Sequence, residues 1–171
     1  MQNELLYTEE HFSCQNYLAT AETGFKYIEF FEDTEFGESN ANKNYLLFFL
    51  KGDFNVSCNQ FHNRLFHEGD MVLIPRSSHF KGTTEGNAKL LSTICKKNKY
   101  NFEAVKIKYP LIPFLELLTY CIKNKMNCLH LHDLMQREFF LLIRGFYKRQ
   151  EIATLFYPII GKEMDFKDFV M

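Results

Sequence analysis

The feature of this sequence that most constrains its fold is a change of hydrophobic period near residue 105. Before that point, apolar residues come in strand-length runs separated by turn signals, without helical segments between them. After it, apolar residues recur every three or four positions, which is typical of helices with a buried face. This order predicts an α+β protein, with an antiparallel β sandwich or barrel over residues 1–105 and a helical bundle over residues 106–171.

Strand-length runs fill much of the first region. The predicted strands are Phe25–Phe31, Tyr45–Leu50, Phe54–Cys58, Met71–Ile74 and Lys89–Cys95. Turn residues separate them, such as Lys51-Gly52-Asp53 and the segment Gly82–Gly86. Short strands joined by turns favour antiparallel pairing.

The first predicted helix of the second region carries an apolar face with spacings of four, three and four residues. That face consists of Leu111, Leu115, Leu118 and Ile122, with Pro113 in the first turn.

Three further helices are predicted after it. Leu129–Phe146 contains Phe139–Ile143, which is apolar all round, so we expect this helix to be covered on more than one side. The next helix runs over Lys148–Tyr157 and ends at Pro158. The last begins at Asp165 and is cut off by the end of the sequence.

Charge is unevenly distributed along a chain whose formal net charge is −1. Residues 1–90 hold 7 Lys+Arg and 13 Asp+Glu, whereas residues 91–171 hold 13 and 8. A chain that binds nucleic acid on its own usually has a basic excess. We therefore do not expect this chain to bind DNA by itself.

The cysteines, the N-terminus and the lengths of the apolar runs indicate the cellular compartment of the protein. Five cysteines without a Cys-x-x-Cys pair favour reduced thiols. The acidic, polar N-terminus does not resemble a signal peptide. The longest apolar run, Tyr45–Leu50, is too short to cross a bilayer. We expect a cytoplasmic protein without membrane contact.

The most informative segment runs from Leu65 to Phe80. Gly69-Asp70 predicts a tight turn, because glycine tolerates a positive φ and aspartate hydrogen-bonds to nearby backbone. Met71–Ile74 then forms a buried strand, which Pro75 ends because it has no N–H to donate. The pattern Gly-Asp-x3-Ile-Pro-x3-His, which ends at His79, resembles the second sequence motif of the cupin superfamily.

Flanking segments extend the resemblance over roughly residues 25–171. Residues 46–57 resemble the strand-turn-strand that precedes this motif in small cupin sensor domains. Residues 129–147, Phe156-Tyr157-Pro158 and residues 165–170 resemble the helical linker of AraC-type (arabinose-regulator) transcription factors. The resemblance implies a jelly-roll (double-stranded β-helix) barrel that senses a small-molecule effector, and a helical region that forms a homodimer. DNA would be bound by a C-terminal helix-turn-helix domain, which this sequence does not contain.

Cupin enzymes bind a metal with two histidines and a glutamate of a first motif and one histidine of the second. His79 matches the last of these, but residues 45–58 contain no histidine. His130 and His132 point about 200° apart on a helix and cannot converge on one metal ion. We therefore interpret them as polar residues at the start of the helix. We therefore expect no catalytic residues, metal or cofactor. A stand-alone metal-dependent cupin enzyme, a small-molecule-binding cupin and a purely structural dimerisation module remain alternatives.

Candidate site residues follow from the same interpretation. An effector pocket is expected inside the barrel, lined by Tyr27, Phe30, Tyr45, Phe49 and His79. The phenylalanine-rich composition of that interior by itself favours plain core over a cavity. The two-sided apolar helix predicts a twofold dimer contact, and a fully internal helix is the alternative. The predicted dimerisation residues are Leu115, Leu118, Ile122, Phe139, Phe140 and Ile143.

Overall fold

The computed structural model describes residues 24–95, 102–126 and 128–160, apart from residues 32, 40 and 42. Its strands are β1 Phe25–Phe30, β2 Glu35–Glu38, β3 Asn44–Lys51, β4 Phe54–Cys58, β5 Phe61–Phe66, β6 Asp70–Ile74, β7 Phe80–Thr84, β8 Ala88–Cys95 and β9 Val105–Lys106. Its helices are α1 Leu111–Lys123, α2 Leu129–Phe146 and α3 Arg149–Ile160.

The strands form two antiparallel sheets, ordered β1-β8-β3-β6-β9 and β2-β7-β4-β5. The first four strands pair in reverse order with the next four, as in one long hairpin rolled up into two sheets. This is the strand order of a jelly roll, so that part of the prediction is confirmed. The predicted barrel is not closed, because no described strand of one sheet is hydrogen-bonded to the other sheet.

Strand β3 is buried on both of its faces. Leu47 and Phe49 belong to the core between the two sheets, whereas Leu46 and Phe48 belong to a second core beneath the helices. Successive side chains of a strand point to opposite faces, so a continuous apolar run suits a strand covered on both sides. The apolar run from Tyr45 to Leu50 therefore reflects a central position in the five-stranded sheet.

The three helices cover the outer face of the five-stranded sheet. Phe139 of α2 meets Phe48 of β3 with ring centroids 5.6 Å apart, and Phe114 of α1 at 6.4 Å. Leu155 and Phe156 of α3 are buried in the same core. A separate helical bundle is therefore not confirmed, because the helices bury their apolar faces against the sheet. The predicted domain boundary, between residues 105 and 106, falls within β9.

Most predicted elements agree with the structure to within a few residues. The predicted strands did not include β2, β5, β7 and the two-residue β9, and the proposed turn at Gly82–Gly86 overlaps the end of β7. Helix α3 continues to Ile160, past Pro158, where we expected it to end. A proline in the last turn removes a single backbone hydrogen bond, which so short a continuation tolerates. The helix predicted from Asp165 lies outside the described residues.

His132 corrects the interpretation of the start of α2. His130 is exposed, but His132 is buried and its Nδ1 accepts a hydrogen bond of 2.9 Å from the backbone N–H of Phe25. Its ring stacks on the Phe25 ring with centroids 6.1 Å apart. As expected, the two side chains point in different directions, but that of His132 points into the core. Burial lowers the pKa of His132 below its ordinary value of 6.5.

Acid is therefore expected to destabilise the fold through His132. Below pH 6.5, its ordinary pKa, the unfolded chain binds more protons at this position than the folded chain. The free energy of unfolding should fall as the pH drops from that value through the folded pKa, by at most about 1.4 kcal/mol per pH unit for one proton. Urea unfolding of the wild type at pH 7.5 and 5.5 measures this loss.

The matched variants are His132→Asn, which keeps an acceptor near the Nδ1 position, and His130→Gln as the control. We expect H132N to lose part of the acid sensitivity and H130Q to retain it. An equal pH dependence in the wild type and H132N would show that other groups cause the loss.

Candidate functional site

A cavity of about 400 Å³ lies between α1 and the five-stranded sheet, and we call it the helix–sheet cavity. Its walls come from β1, β3 and β8, from the turn between β5 and β6, and from α1. The lining residues are Tyr27, Phe49, Leu50, Glu68, Gly69, Lys89, Ile107, Ile112, Leu115, Glu116, Thr119, Tyr120 and Lys123. The volume and the mixture of apolar walls with a few polar groups are typical of small-molecule sites.

Backbone hydrogen bonds hold one end of the cavity together. The Gly69 N–H donates to the carbonyl oxygen of Phe49 at 2.9 Å, and the Ile107 N–H donates to that of Gly69 at 2.7 Å. Pairing of β3 with β8 shifts register between Phe49 and Lys51, which places the irregularity at the cavity wall. Such irregularities are common next to functional sites because they end regular pairing.

The Gly-Asp turn supplies part of this wall. Gly69 has a φ of +82°, and a Cβ built on it meets no atom within 4 Å. Asp70 is buried; its Oδ2 accepts from the His67 N–H at 2.9 Å, and its Oδ1 lies 2.6 Å from the Lys106 Nζ. The turn chemistry predicted for this motif is confirmed, and it also fixes β9 beside β6.

The Glu29 carboxylate lies close to the ammonium groups of both lysines that line the cavity. Its Oε1 lies 2.5 Å from the Lys123 Nζ and 3.8 Å from the Lys89 Nζ, and it accepts a hydrogen bond of 2.6 Å from the Tyr27 hydroxyl. The Lys123 ammonium also lies 4.9 Å from the centre of the Tyr27 ring. The hydrogen bond from Lys123 lowers the pKa of Glu29, and the same bond raises the pKa of Lys123.

Thr119 places a polar atom on the cavity wall without a protein partner. Its Oγ1 is buried and has no hydrogen-bond partner within the described part of the chain. A buried hydroxyl that lacks a partner costs free energy in the folded state. Such a group is well suited to hydrogen-bond with a molecule that enters the cavity.

The structure brings two of the five predicted ligand-binding residues to this cavity, namely Tyr27 and Phe49. Phe30 is buried in the core between the sheets, and Tyr45 packs against that core. The Tyr45 hydroxyl donates to Glu38 Oε2 at 2.8 Å, and burial together with this carboxylate raises the pKa of Tyr45 to about 12.

Phenylalanine rings fill much of the space in which the effector pocket was predicted. The Phe49 ring centroid lies 4.7 Å from that of Phe54 and 5.0 Å from that of Phe66. Phe30 meets Phe54 edge to face at 6.2 Å. These contacts match the alternative interpretation of the aromatic residues as plain core.

His79 lies outside the sandwich and is exposed. It lines a groove of about 360 Å³ on the outer face of the four-stranded sheet. Its backbone N–H donates to Asn59 Oδ1 at 3.0 Å, and its carbonyl oxygen accepts from the Asn59 N–H at 2.9 Å. These bonds position the start of β7, so the histidine of the motif does not meet Tyr27 and Phe49.

The predicted dimerisation residues are largely used within the protomer. Four are buried in the core shared by the helices and the sheet, namely Leu115, Leu118, Phe139 and Ile143. Ile122 and Phe140 pack partly against that core. The apolar residues that the helices leave exposed are different ones, among them Leu117, Leu134 and Leu141.

The sequence analysis missed the polar residues of α1 that line the cavity. Glu116, Thr119 and Lys123 follow one another at helical spacing beside the buried Leu115. The signal that identifies them is a polar row along one border of the apolar face, at positions i, i+3 and i+7. The pattern alone does not show whether such a row faces water or a cavity.

The described residues contain no group of three or more His, Cys, Asp and Glu side chains placed to hold a metal ion. Cys58, Cys121 and Cys128 are not linked to one another by disulfides, and the side chains of Cys14 and Cys95 lie outside the description. No helix in the described ranges is long and apolar enough to span a membrane.

Strand pairing defines this chain as a jelly-roll protein whose helices cover one sheet. No family model and no curated protein matches it. Similar solved structures include the cupin domain of Drosophila melanogaster CENP-C, at 16% identity over 42% of this chain and 59% of that one, with a TM-score of 0.36. A cupin superfamily protein from Desulfitobacterium hafniense has 15% identity over 42% and 66%, with a TM-score of 0.38.

An RmlC-like cupin from Shewanella frigidimarina has 13% identity over 42% of this chain and 66% of that one, with a TM-score of 0.37. The chain thus matches less than two thirds of the length of each of these structures. At such identities and TM-scores, no property of those proteins carries over to this chain. Its relation to AraC-type regulators stays a prediction.

The Thr119 hydroxyl makes a direct test of the cavity possible. Thr119→Val removes the unpartnered oxygen at nearly constant volume, so we expect the free energy of unfolding to rise by about 1 kcal/mol. Thr93→Val is the matched control, because the Thr93 hydroxyl donates to the Gly24 carbonyl oxygen at 3.2 Å and accepts from Gln136 at 3.5 Å. T93V should destabilise the chain in urea unfolding. A loss of stability in T119V as large as that in T93V would mean that the hydroxyl has a partner.

Proposed function

We propose that this chain is the effector-sensing and dimerisation region of an AraC-type transcription regulator, and that its effector binds in the helix–sheet cavity. The observation that carries the proposal is the composition of the cavity walls. Strands supply one side and α1 supplies the other, so a bound molecule contacts both parts of the fold at once.

A ligand in this position has a physical route to the other helices. Leu115 lines the cavity, while Phe114, its neighbour on α1, packs against Phe139 of α2. A ligand that favours one placement of α1 on the sheet therefore also favours one placement of α2. A sensor needs this coupling between an occupied site and the surface that meets its partner.

The role we propose is binding rather than catalysis. The Thr119 hydroxyl has no hydrogen-bonding base within reach among the described residues, and an activated nucleophile needs such a base. The groups around the cavity are suited to recognising a molecule by shape, hydrogen bonding and charge.

The dimer surface that we propose is the outer face of α2. Leu134 and Leu141 lie seven residues apart on this face, and their side chains are 61% and 63% exposed. Met135, Phe139 and Ile143 occupy the opposite face and pack on the sheet. Two copies of the chain can meet through this outer face about a twofold axis. In a full regulator, linking two DNA-binding units in this way raises their joint affinity for paired half-sites.

Ligand binding is tested with a thermal-shift panel of small molecules, followed by calorimetric titration of each compound that raises Tm. Thr119→Phe places a ring in the cavity, so we expect it to weaken binding by about tenfold or more, a change of 1.4 kcal/mol or greater. Leu117→Phe puts the same ring on the solvent side of α1 and should leave binding unchanged. Circular dichroism melting checks that both variants fold.

Two results would overturn the ligand proposal. One is a panel in which no compound stabilises the wild type. The other is a T119F variant that folds and binds as tightly as L117F, because the ligand would then sit elsewhere.

Dimerisation and its regulatory consequence are tested together. The double variant Leu134→Glu/Leu141→Glu introduces like charges on the proposed contact, so its sedimentation should be that of a monomer while the wild type is a dimer. Leu65→Glu, on an equally exposed leucine of the four-stranded sheet, is the control. Fused to a helix-turn-helix domain that needs dimerisation, the wild type and L65E should repress a reporter and the double variant should not. A monomeric wild type would refute the dimer.

A further inference from the structure

Charges at the mouth of the helix–sheet cavity indicate which class of ligand it accepts. We propose that the ligand is a cationic amphiphile, an apolar body that carries one ammonium group. This inference rests on the function proposed above and specifies the chemistry of the same site.

Two carboxylates face the cavity without a counter-ion. Glu68 comes from the turn before β6 and Glu116 from α1, so they belong to different elements. Both residues are exposed. No ion pair or hydrogen bond involves either side chain in the described part of the chain. Beside apolar walls, a carboxylate attracts a cation more strongly than it does on an open surface, because the local dielectric constant is lower.

The two lysines of the cavity share one carboxylate, that of Glu29. Lys123 lies 2.5 Å from Glu29 and above the Tyr27 ring, and Lys89 lies 3.8 Å from the same carboxylate. Together with Glu29, the groups at the cavity comprise three carboxylates and two ammonium groups. An incoming anion would meet this surplus of negative charge, whereas an incoming cation would be attracted by it.

The rest of the lining suits an apolar body with one polar end. Leu50, Ile107 and Leu115 form apolar wall. The buried Oγ1 of Thr119 can accept a hydrogen bond from an ammonium N–H. Tyr120 lies one turn beyond Glu116 on α1, and its ring adds a face that attracts cations.

The test uses three probes that share one apolar body and differ in the charge of the head group: phenylbutylamine, phenylbutanol and phenylbutanoate. Calorimetric titration at pH 7.5 and low salt measures the dissociation constant of each. We expect the amine to bind about tenfold more tightly than the alcohol, a difference of 1.4 kcal/mol. The carboxylate should bind more weakly than the alcohol, and added salt should weaken binding of the amine.

Single variants separate charge from shape. Glu68→Gln and Glu116→Gln should each weaken amine binding about threefold or more and leave alcohol binding unchanged. Glu85→Gln is the control, since Glu85 is also exposed but lies in the turn between β7 and β8, away from the cavity. All three positions are on the surface, so folding should be unaffected.

The outcomes distinguish this inference from the function on which it rests. If the alcohol binds as tightly as the amine and T119F abolishes both, the cavity binds ligands and the cationic class is wrong. If the carboxylate binds most tightly, Lys89 and Lys123 govern recognition and the inference is overturned. If none of the probes binds, the inference is overturned, and the proposed function is then decided by the wider panel of small molecules.

Discussion

Burial of the five-stranded sheet on both faces is the constraint on which the rest of the structure depends. One face of β3 packs against the four-stranded sheet through Leu47 and Phe49, and the other packs beneath the helices through Leu46 and Phe48. Neither layer can be removed without exposing a row of large apolar side chains to water. The jelly roll and the helical region therefore form one structural unit, although their sequence patterns differ.

This shared sheet also explains where the candidate site lies. Phenylalanine rings occupy much of the space between the two sheets. A cavity is found instead where α1 meets the end of β3, the start of β8 and the turn at Gly69. The hydrogen bonds from Phe49 through Gly69 to Ile107 tie the sandwich to the start of the helical region at this point. A molecule bound there would contact both the sandwich and the helical region.

Much of the architecture could be predicted from the sequence, and the exceptions have local causes. The predicted strands are strand-length runs rich in apolar residues, either continuous, as in Tyr45–Leu50, or interrupted by polar residues, as in Phe25–Phe31. Strands β2, β5 and β7 were missed because their exposed faces carry Glu35, His62 and Lys81 and because glycines interrupt two of them. For the site, Tyr27 and Phe49 were predicted and the polar row on α1 was not, since a threonine or glutamate on a helix border has the same pattern beside water or beside a cavity.

The sequence by itself determined the change from strands to helices, the Gly-Asp turn and the apolar faces of the helices, because period and turn chemistry act between neighbours in the chain. Only the tertiary structure decided that the helices lie on the sheet, that His132 is buried against Phe25 and that His79 faces outward. It also placed Glu68 and Thr119, some fifty positions apart, on the walls of one cavity. These outcomes depend on which distant segments pack together, and packing follows from the mutual fit of whole surfaces, which no local pattern encodes.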